Sequence, residues 1–377
     1  MVGEWPATKV GDLADSISDT HKFDKERLIF LNTSDVLFGK LLNHSYSAVS
    51  GWPGQAKKSI RKGDILFSEI RPANGRWAYV HIDAEDYVVS TKLMVIRSKV
   101  KRVHPRFLYH FLTSTQTTGW LQRLAESRSG TFPQITFDQV AELEVALPPL
   151  SVQEKIADFF DAIDNKIEMN RRMNETLEAT ARELFKSWFV NFDPVRAKAE
   201  GRDTRLPRLL SDLFPSRLVH SVLGEIPEGW DVKGLDEIAY FRNGLALQKY
   251  PPIGGRSLPV IKIAQLRAGN TKGADRASAE LESDYIVQDS DILFSWSGSL
   301  ECVLWVGGSG ALNQHLFKVT SAIYPRWFCY LGIHEHLDNF RHIAAGKATT
   351  MGHIQRHHLS DAKLPVPALN LLRAMDV

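Results

Sequence analysis

Lys62-Gly-Asp-Ile-Leu-Phe-Ser68 returns 227 positions later as Asp289-Ser-Asp-Ile-Leu-Phe-Ser295, preceded there by Gln288, and this repeat decides the fold. Self-similarity at long range is the mark of a duplicated unit and fixes the architecture before any motif does. Working outward, Trp5-Pro-Ala-Thr-Lys-Val-Gly-Asp-Leu-Ala-Asp15 matches Trp230-Asp-Val-Lys-Gly-Leu-Asp-Glu-Ile-Ala239. Val88-Val-Ser-Thr-Lys-Leu-Met-Val-Ile96 corresponds to Ala311-Leu-Asn-Gln-His-Leu-Phe-Lys-Val319, and Pro105-Arg-Phe-Leu-Tyr109 to Pro325-Arg-Trp-Phe-Cys-Tyr330. Gly130-Thr-Phe-Pro-Gln-Ile135 leads to Leu147-Pro-Pro-Leu150 as Ala348-Thr-Thr-Met-Gly-His-Ile354 leads to Leu364-Pro-Val-Pro-Ala-Leu369. The order is preserved and the offset drifts slightly, as loop insertions and deletions would make it.

Each copy mixes strand-like runs (Asp64–Ile70, Tyr87–Ile96, Asp291–Trp296) with stretches of helical period (Arg106–Leu124, Trp327–Ala344). The fold class expected is α+β, two homologous domains over 1–150 and 230–369. Between them, no Gly or Pro interrupts 151–192. Ser151 with Glu154 has the spacing of a capping box. Ile156, Phe160, Ile163, Ile167, Leu177, Ala181, Leu184 and Trp188 follow on a 4-3-4-3 spacing whose two missing places are Asn170 and Asn174, so a long helix with a coiled-coil-type seam is expected. At about 1.5 Å per residue such a rod is longer than one turn of DNA and could hold the two domains apart at a fixed distance. The charged stretch 193–229, punctuated by Pro194, Gly201, Pro207, Pro215 and Pro227, reads as an exposed connector, and 370–377 as the start of a further region.

Charge is nearly balanced at +2 formal, with 19 Lys+Arg against 16 Asp+Glu in 1–150 and 15 against 16 in 225–377, so any DNA-facing surface must come from local clustering. No basic-plus-apolar leader and no bilayer-length apolar run is evident, and a cytoplasmic protein is expected. Cys302 and Cys329 lack metal-site spacing and read as buried thiols. Catalytic motifs are missing: Leu147-Pro-Pro-Leu150 and Tyr250-Pro-Pro-Ile253 lack the polar and aromatic ends of an amino-methyltransferase element, and Gly346-Lys347 lacks the following Ser or Thr of a phosphate loop. The glycines after Trp305 read as a hairpin turn, and His334 and His336 sit two apart, which turns their rings to different helix faces. No catalytic residue and no metal ligand is assigned.

Several stretches resemble the specificity subunits of type I restriction-modification systems: Leu147-Pro-Pro-Leu-Ser-Val-Gln-Glu-Lys-Ile156, Asn174-Glu-Thr-Leu-Glu178, Leu184-Phe-Lys-Ser-Trp-Phe-Val-Asn-Phe-Asp-Pro-Val-Arg196 and Leu223-Gly-Glu-Ile-Pro-Glu-Gly-Trp230. The resemblance implies two target-recognition domains that each read half of an interrupted duplex DNA sequence, and a chain without catalysis or bound cofactor. It implies as partners two modification subunits that methylate adenine with S-adenosylmethionine, and restriction subunits that use ATP and Mg. Such subunits usually continue into a second long helix antiparallel to the first, whereas this sequence stops at Val377. The open seam would then need cover from a modification subunit, a second copy or a separate fragment. The alternatives are a truncated non-productive or decoy subunit, and a nuclease or methyltransferase with built-in recognition domains.

Base readout needs flat bidentate groups, Arg for guanine and Gln or Asn for adenine, with cations for phosphates. The candidates in the first copy are Lys57, Lys58, Arg61, Lys62, Arg71, Asn74, Arg76 and the loop with Arg128, Ser129, Gly130, Thr131 and Gln134. In the second they are Arg242, Asn243, Lys262, Gln265, Arg267, Trp296, Ser297, Ser299 and the loop with Lys347, Thr349, Thr350, His353, Gln355 and Arg356. The target sequence itself is not legible, because readout depends on loop geometry and DNA deformation as much as on residue type.

Overall fold

A computed structural model describes residues 5–99, 101–128, 133–346 and 352–376. The chain divides into two compact units, 1–171 and 172–377.

Both units share two four-stranded sheets of the same strand order. In the first, an antiparallel sheet runs in the order Ala14–Ile17, Leu93–Ser98, Ile65–Ser68, Trp77–Tyr79. A second sheet runs Ser47–Ala48, Arg27–Leu31, Tyr87–Ser90, Ala56–Ser59, and its middle pair is parallel. In the second unit the corresponding orders are Tyr240–Asn243, Leu316–Thr320, Ile292–Ser295, Cys302–Leu304, and Arg276–Ser278, Ser257–Ile261, Gly310–Leu312, Ile286–Val287, again with a parallel middle pair. A two-stranded ribbon accompanies each, Ala7–Lys9 with Glu144–Ala146 and Asp231–Gly234 with Lys363–Val366. The run Tyr87–Ile96, expected as one strand, is two, because the chain crosses from one sheet to the other at Thr91-Lys92.

The repeated Ile-Leu-Phe-Ser is buried at every position in both copies. Successive strand residues point to opposite faces, so a strand covered on both sides needs an unbroken apolar run. Ile65 and Phe67 enter a core shared with the helices, where Phe67 stacks on Trp77 at 5.7 Å, while Leu66 enters the core between the sheets. Ile292 and Phe294 divide from Leu293 in the same way.

The acid that precedes the run is also kept. Asp64 is fully buried and accepts from Arg97 Nε (2.7 Å) and Nη2 (2.8 Å) and from the Arg61 backbone N–H (2.9 Å). Asp291 accepts from the Gln288 N–H (2.8 Å) and pairs with Lys318 Nζ (2.9 Å). Arg97 lies one position beyond Ile96, the partner of Ile65, whereas Lys318 lies one position before Val319, the partner of Ile292. The two copies therefore supply the cation from different places along the same face of the strand.

The central helix spans Leu150–Phe185 and passes into a π-helical turn, Lys186–Val190. It begins one residue before Ser151, which therefore lies in the first turn and not at the cap expected for it. The Pro149 carbonyl accepts from Val152 and Gln153, and buried Gln153 accepts from the His104 N–H (2.7 Å) and donates to Pro148 O (2.8 Å). The helical stretch Arg106–Leu124 is broken at Ser114, which is extended and accepts from the Thr117 N–H to start a second helix, so the first unit has Pro105–Thr113 and Thr115–Arg128 where the second has an unbroken Arg326–Gly346.

The stretch 193–229 is not the exposed connector its prolines suggest. Pro194 opens the helix Asp193–Ala199 at a position where the missing N–H costs nothing, and Leu218–Ser221 pairs with Gly224–Pro227 as a hairpin. Val195, Phe214 and Ile226 are buried beside Phe185, Phe189 and Trp230, so this stretch is part of the second unit's core.

Candidate nucleic-acid interface

After each Ile-Leu-Phe-Ser strand the chain turns and meets the end of the later loop, and the backbone connections are the same in both units. In the first, Ile70 bridges to Gln134, Ile135 N donates to Glu69 O (2.9 Å) and Arg71 N to Pro133 O (3.1 Å). In the second, Ser297 bridges to His353, Ile354 N donates to Trp296 O (2.9 Å) and Gly298 N to Gly352 O (2.8 Å). The sheet-crossing turn joins this frame: Glu69 N donates to Lys92 O (3.1 Å) and Trp296 N to His315 O (3.4 Å). The crossing turns close alike, with Lys92 N on Ser90 Oγ (3.2 Å) and His315 N on Asn313 Oδ1 (3.3 Å).

The side chains on this common frame differ. The first unit presents Arg71 and Asn74, both exposed, half-buried Gln134, and Lys92 at 4.0 Å from Glu69. The second presents an aromatic and imidazole cluster. Trp296 Nε1 donates to Asn243 Oδ1 (3.0 Å) and Gln314 O (3.1 Å), and its ring lies 5.7 Å from His315 and 6.4 Å from His353. Buried Ser297 Oγ bonds His315 Nδ1 (2.9 Å), and Gln314 and His315 meet through their side chains. Gly244 has no room for a side chain, because a Cβ would lie 2.2 Å from the Asn313 carbonyl oxygen. Tight backbone contact there holds Asn243 beside Trp296.

The other sequence candidates fall into three groups. Some are occupied inside the protein: Lys58 Nζ donates to Leu93 O (2.9 Å) and burial lowers its pKa, Arg76 donates to Ser34 O (2.9 Å) and Val36 O (3.3 Å), and Arg242 pairs with Asp284 above the Tyr240 and Tyr285 rings. Arg356 lies over Phe317 at 5.6 Å and reaches Phe241 O (3.3 Å), and Lys262 pairs with Asp275 while its N–H is accepted by Gln265. Others are exposed: Lys57, Arg61 and Lys62, which precede the Ile65–Ser68 strand and so lie at its far end from Arg71, and Arg267, Ser299 and Gln355. Ser129, Gly130, Thr131, Lys347, Thr349 and Thr350 lie outside the described residues, as does the side chain of Arg128, whose backbone ends the helix Thr115–Arg128. Glu69, Lys92, Gln314 and His315 belong to the frame without having been candidates; their signal was their place inside duplicated stretches read only for strands.

Of the helix seam, the two ends are used within the units: Ile156 packs on the first core, and Ala181 and Trp188 on the second. Phe160, although its ring meets His110 at 5.3 Å, is exposed, as are Ile163, Ile167, Leu177, Leu184 and both Asn170 and Asn174. His334 and His336 point to different carbonyls, Cys302 O (3.0 Å) and Lys363 O (3.1 Å). Among the described residues no helix is long and apolar enough to cross a membrane, and no group of three metal-ligating side chains is present.

A model of the type I restriction modification DNA specificity domain matches residues 3–179 and 227–371. The type I restriction enzyme HindI specificity subunit of Haemophilus influenzae is 46% identical over 228 residues, which cover 60% of this chain and 49% of that protein. The MjaIX specificity subunit of Methanocaldococcus jannaschii is 27% identical over 272 residues, covering 68% and 58%. The HsdS subunit from Thermoanaerobacter tengcongensis aligns with 100% of this chain and 88% of its own at 19% identity, with a TM-score of 0.41. The chain spans about half the length of the curated relatives it matches.

Proposed function

Because the chain belongs to the family of type I restriction modification DNA specificity domains, we propose that it binds duplex DNA in the cytoplasm and reads an interrupted, asymmetric target, one half with each unit. The observation that carries this reading is the duplicated frame: identical backbone connections present Arg71, Lys92 and Gln134 in one unit and Gly298, His315 and His353 in the other. A frame kept while its side chains diverge suits two readers of different half-sites. Hydrogen-bonding groups held on a rigid turn discriminate base edges, whereas flexible surface lysines contribute affinity without sequence information.

The chemistry belongs to partners in this reading. Two modification subunits methylate adenine with S-adenosylmethionine, and restriction subunits cleave with ATP and Mg, while this chain binds no cofactor of its own. The exposed stripe Ile163, Ile167, Leu177 and Leu184 supports a docking role for the central helix, since exposed apolar stripes of this kind mark protein contacts. In the domain boundaries we assign, 1–150 and 230–369 are the two readers and 151–192 the spacer.

The test is co-expression with the cognate modification subunit in a methylation-free host, followed by a genome-wide methyladenine map. One interrupted motif methylated in both halves is expected. A palindromic motif would indicate one unit acting in a paired assembly, and no methylation despite co-purification of the two proteins would overturn the reading.

A further inference from the structure

We infer that Arg71 is the side chain through which the first unit reads a guanine, an assignment that rests on the DNA-reading function proposed above. Arg71 and Gly298 hold the same place in the duplicated frame, and both are left-handed, with φ of +45° and +66°. The second unit fills this place with the residue that adopts such a backbone freely. An L-residue with a side chain pays a penalty there worth roughly tenfold in the folding equilibrium. Pro72 follows and narrows the allowed backbone of Arg71 further.

Among the described residues nothing holds the side chain of Arg71. It is exposed and makes no hydrogen bond or ion pair with the described residues, whereas Arg76 in the same turn is held by two carbonyls and Arg97 by Asp64. The backbone around it is fixed: Arg71 N is bonded to Pro133 O, Asn74 N to Arg71 O (2.9 Å), and Ala73 N to Gln122 Oε1 (3.0 Å). A strained residue on a rigid turn, whose guanidinium no described residue engages, is the pattern of a group kept for an outside ligand. The planar fork of a guanidinium matches the two acceptors of guanine in the major groove, O6 and N7, and a rigid turn supplies the fixed approach that this bidentate pairing needs. Gly298 offers no such group, so the second half-site has no counterpart of this contact.

The full chain is co-expressed with the cognate modification subunit as wild type, Arg71→Gly, Arg71→Ala and Arg71→Lys, and methylated motifs and urea stability are measured for each. Wild type should show a guanine in one half whose preference falls roughly ten- to a hundredfold in all three variants, with every other position unchanged. Arg71→Gly should fold about fivefold more favourably than Arg71→Ala, because both lose the side chain and only glycine relieves the backbone. A motif unchanged in Arg71→Ala would overturn the role of Arg71 alone. So would a loss of methylation uniform across sequences, which is the signature of a phosphate contact and not of base readout. Alanine more stable than glycine would overturn the strained-turn argument. If the wild type itself writes no motif, the DNA-reading function falls first and Arg71's role with it.

Discussion

Substituting Asp64 by Asn tests whether the buried acid holds the strand that leads into the turn at Arg71. Asp64 is wholly buried and accepts three bonds, two from the Arg97 guanidinium and one from the Arg61 N–H. Asparagine keeps the shape, but its NH2 must face a donor and the guanidinium loses its counter-charge. Removing one partner of a buried pair costs about 3–5 kcal/mol. Arg97 retains some solvent access, with 19% of its side chain exposed, and has Asp19 at 3.8 Å as a second acid, so the lower end, about 3 kcal/mol, is expected. For a unit of this size that corresponds to roughly 6–12 °C in melting temperature. Urea denaturation of the full chain is the assay. Asp64→Leu with Arg97→Met should recover most of the loss, because a buried pair replaced by apolar groups of similar volume is close to neutral. A change below about 0.5 kcal/mol in Asp64→Asn, the size typical of exposed ion pairs in general, would refute the reasoning.

Three further outcomes are expected. Ile163→Glu with Leu177→Glu, both on the exposed stripe, should leave the unfolding free energy from urea titration within about 0.5 kcal/mol of wild type while abolishing co-purification with the modification subunit proposed as partner; retained co-purification would remove the stripe from the proposed docking surface. Phe214→Ala should cost about 3–5 kcal/mol by urea titration, a size that a residue in an exposed connector would never show. His334 is neutralised by burial, with the Arg182 guanidinium adding to the effect, and its pKa is pushed down to about 4. The unfolded chain therefore binds the extra proton between about pH 6.5 and 4, so this contribution to stability is complete above 6.5 and lost as pH falls, by at most about 1.4 kcal/mol per pH unit. His334→Gln should flatten the acid limb of stability against pH, and equal slopes for the two proteins would contradict it.

How far the sequence could be read depended on whether a residue's role follows from its chain neighbours. The Ile-Leu-Phe run inside the repeat announced duplicated strands because burial on both faces favours apolar residues at successive positions, and the strand orders agree down to the parallel middle pair. The long helix was legible for a similar reason, since an apolar period from Ile156 to Trp188, missing places only at Asn170 and Asn174 and free of Gly and Pro, is that of a helix. What failed was inference from composition. Pro194, Pro207 and Pro215 suggested a solvated linker, but widely spaced Val195, Phe214 and Ile226 find one core only after folding.

The candidate interface shows the same limit at the level of single side chains. Lys58, Arg76, Arg242 and Arg356 are the cations a DNA surface wants, and four distant carbonyls, an acid and three rings engage them instead. Conversely Lys92 and His315 looked like strand filler, although the crossing turns on which they sit are bonded to the reading turns at Glu69 and Trp296. The duplication turns this difficulty into an argument, because each unit serves as the other's control. Where both copies keep a residue, as with Asp64 and Asp291, the fold requires it. Where the backbone is kept and the residue changes, as with Arg71 and Gly298 or Lys92 and His315, the frame forms with either residue, at a backbone cost in the case of Arg71, and the side chain is left to follow the half-site proposed for each unit.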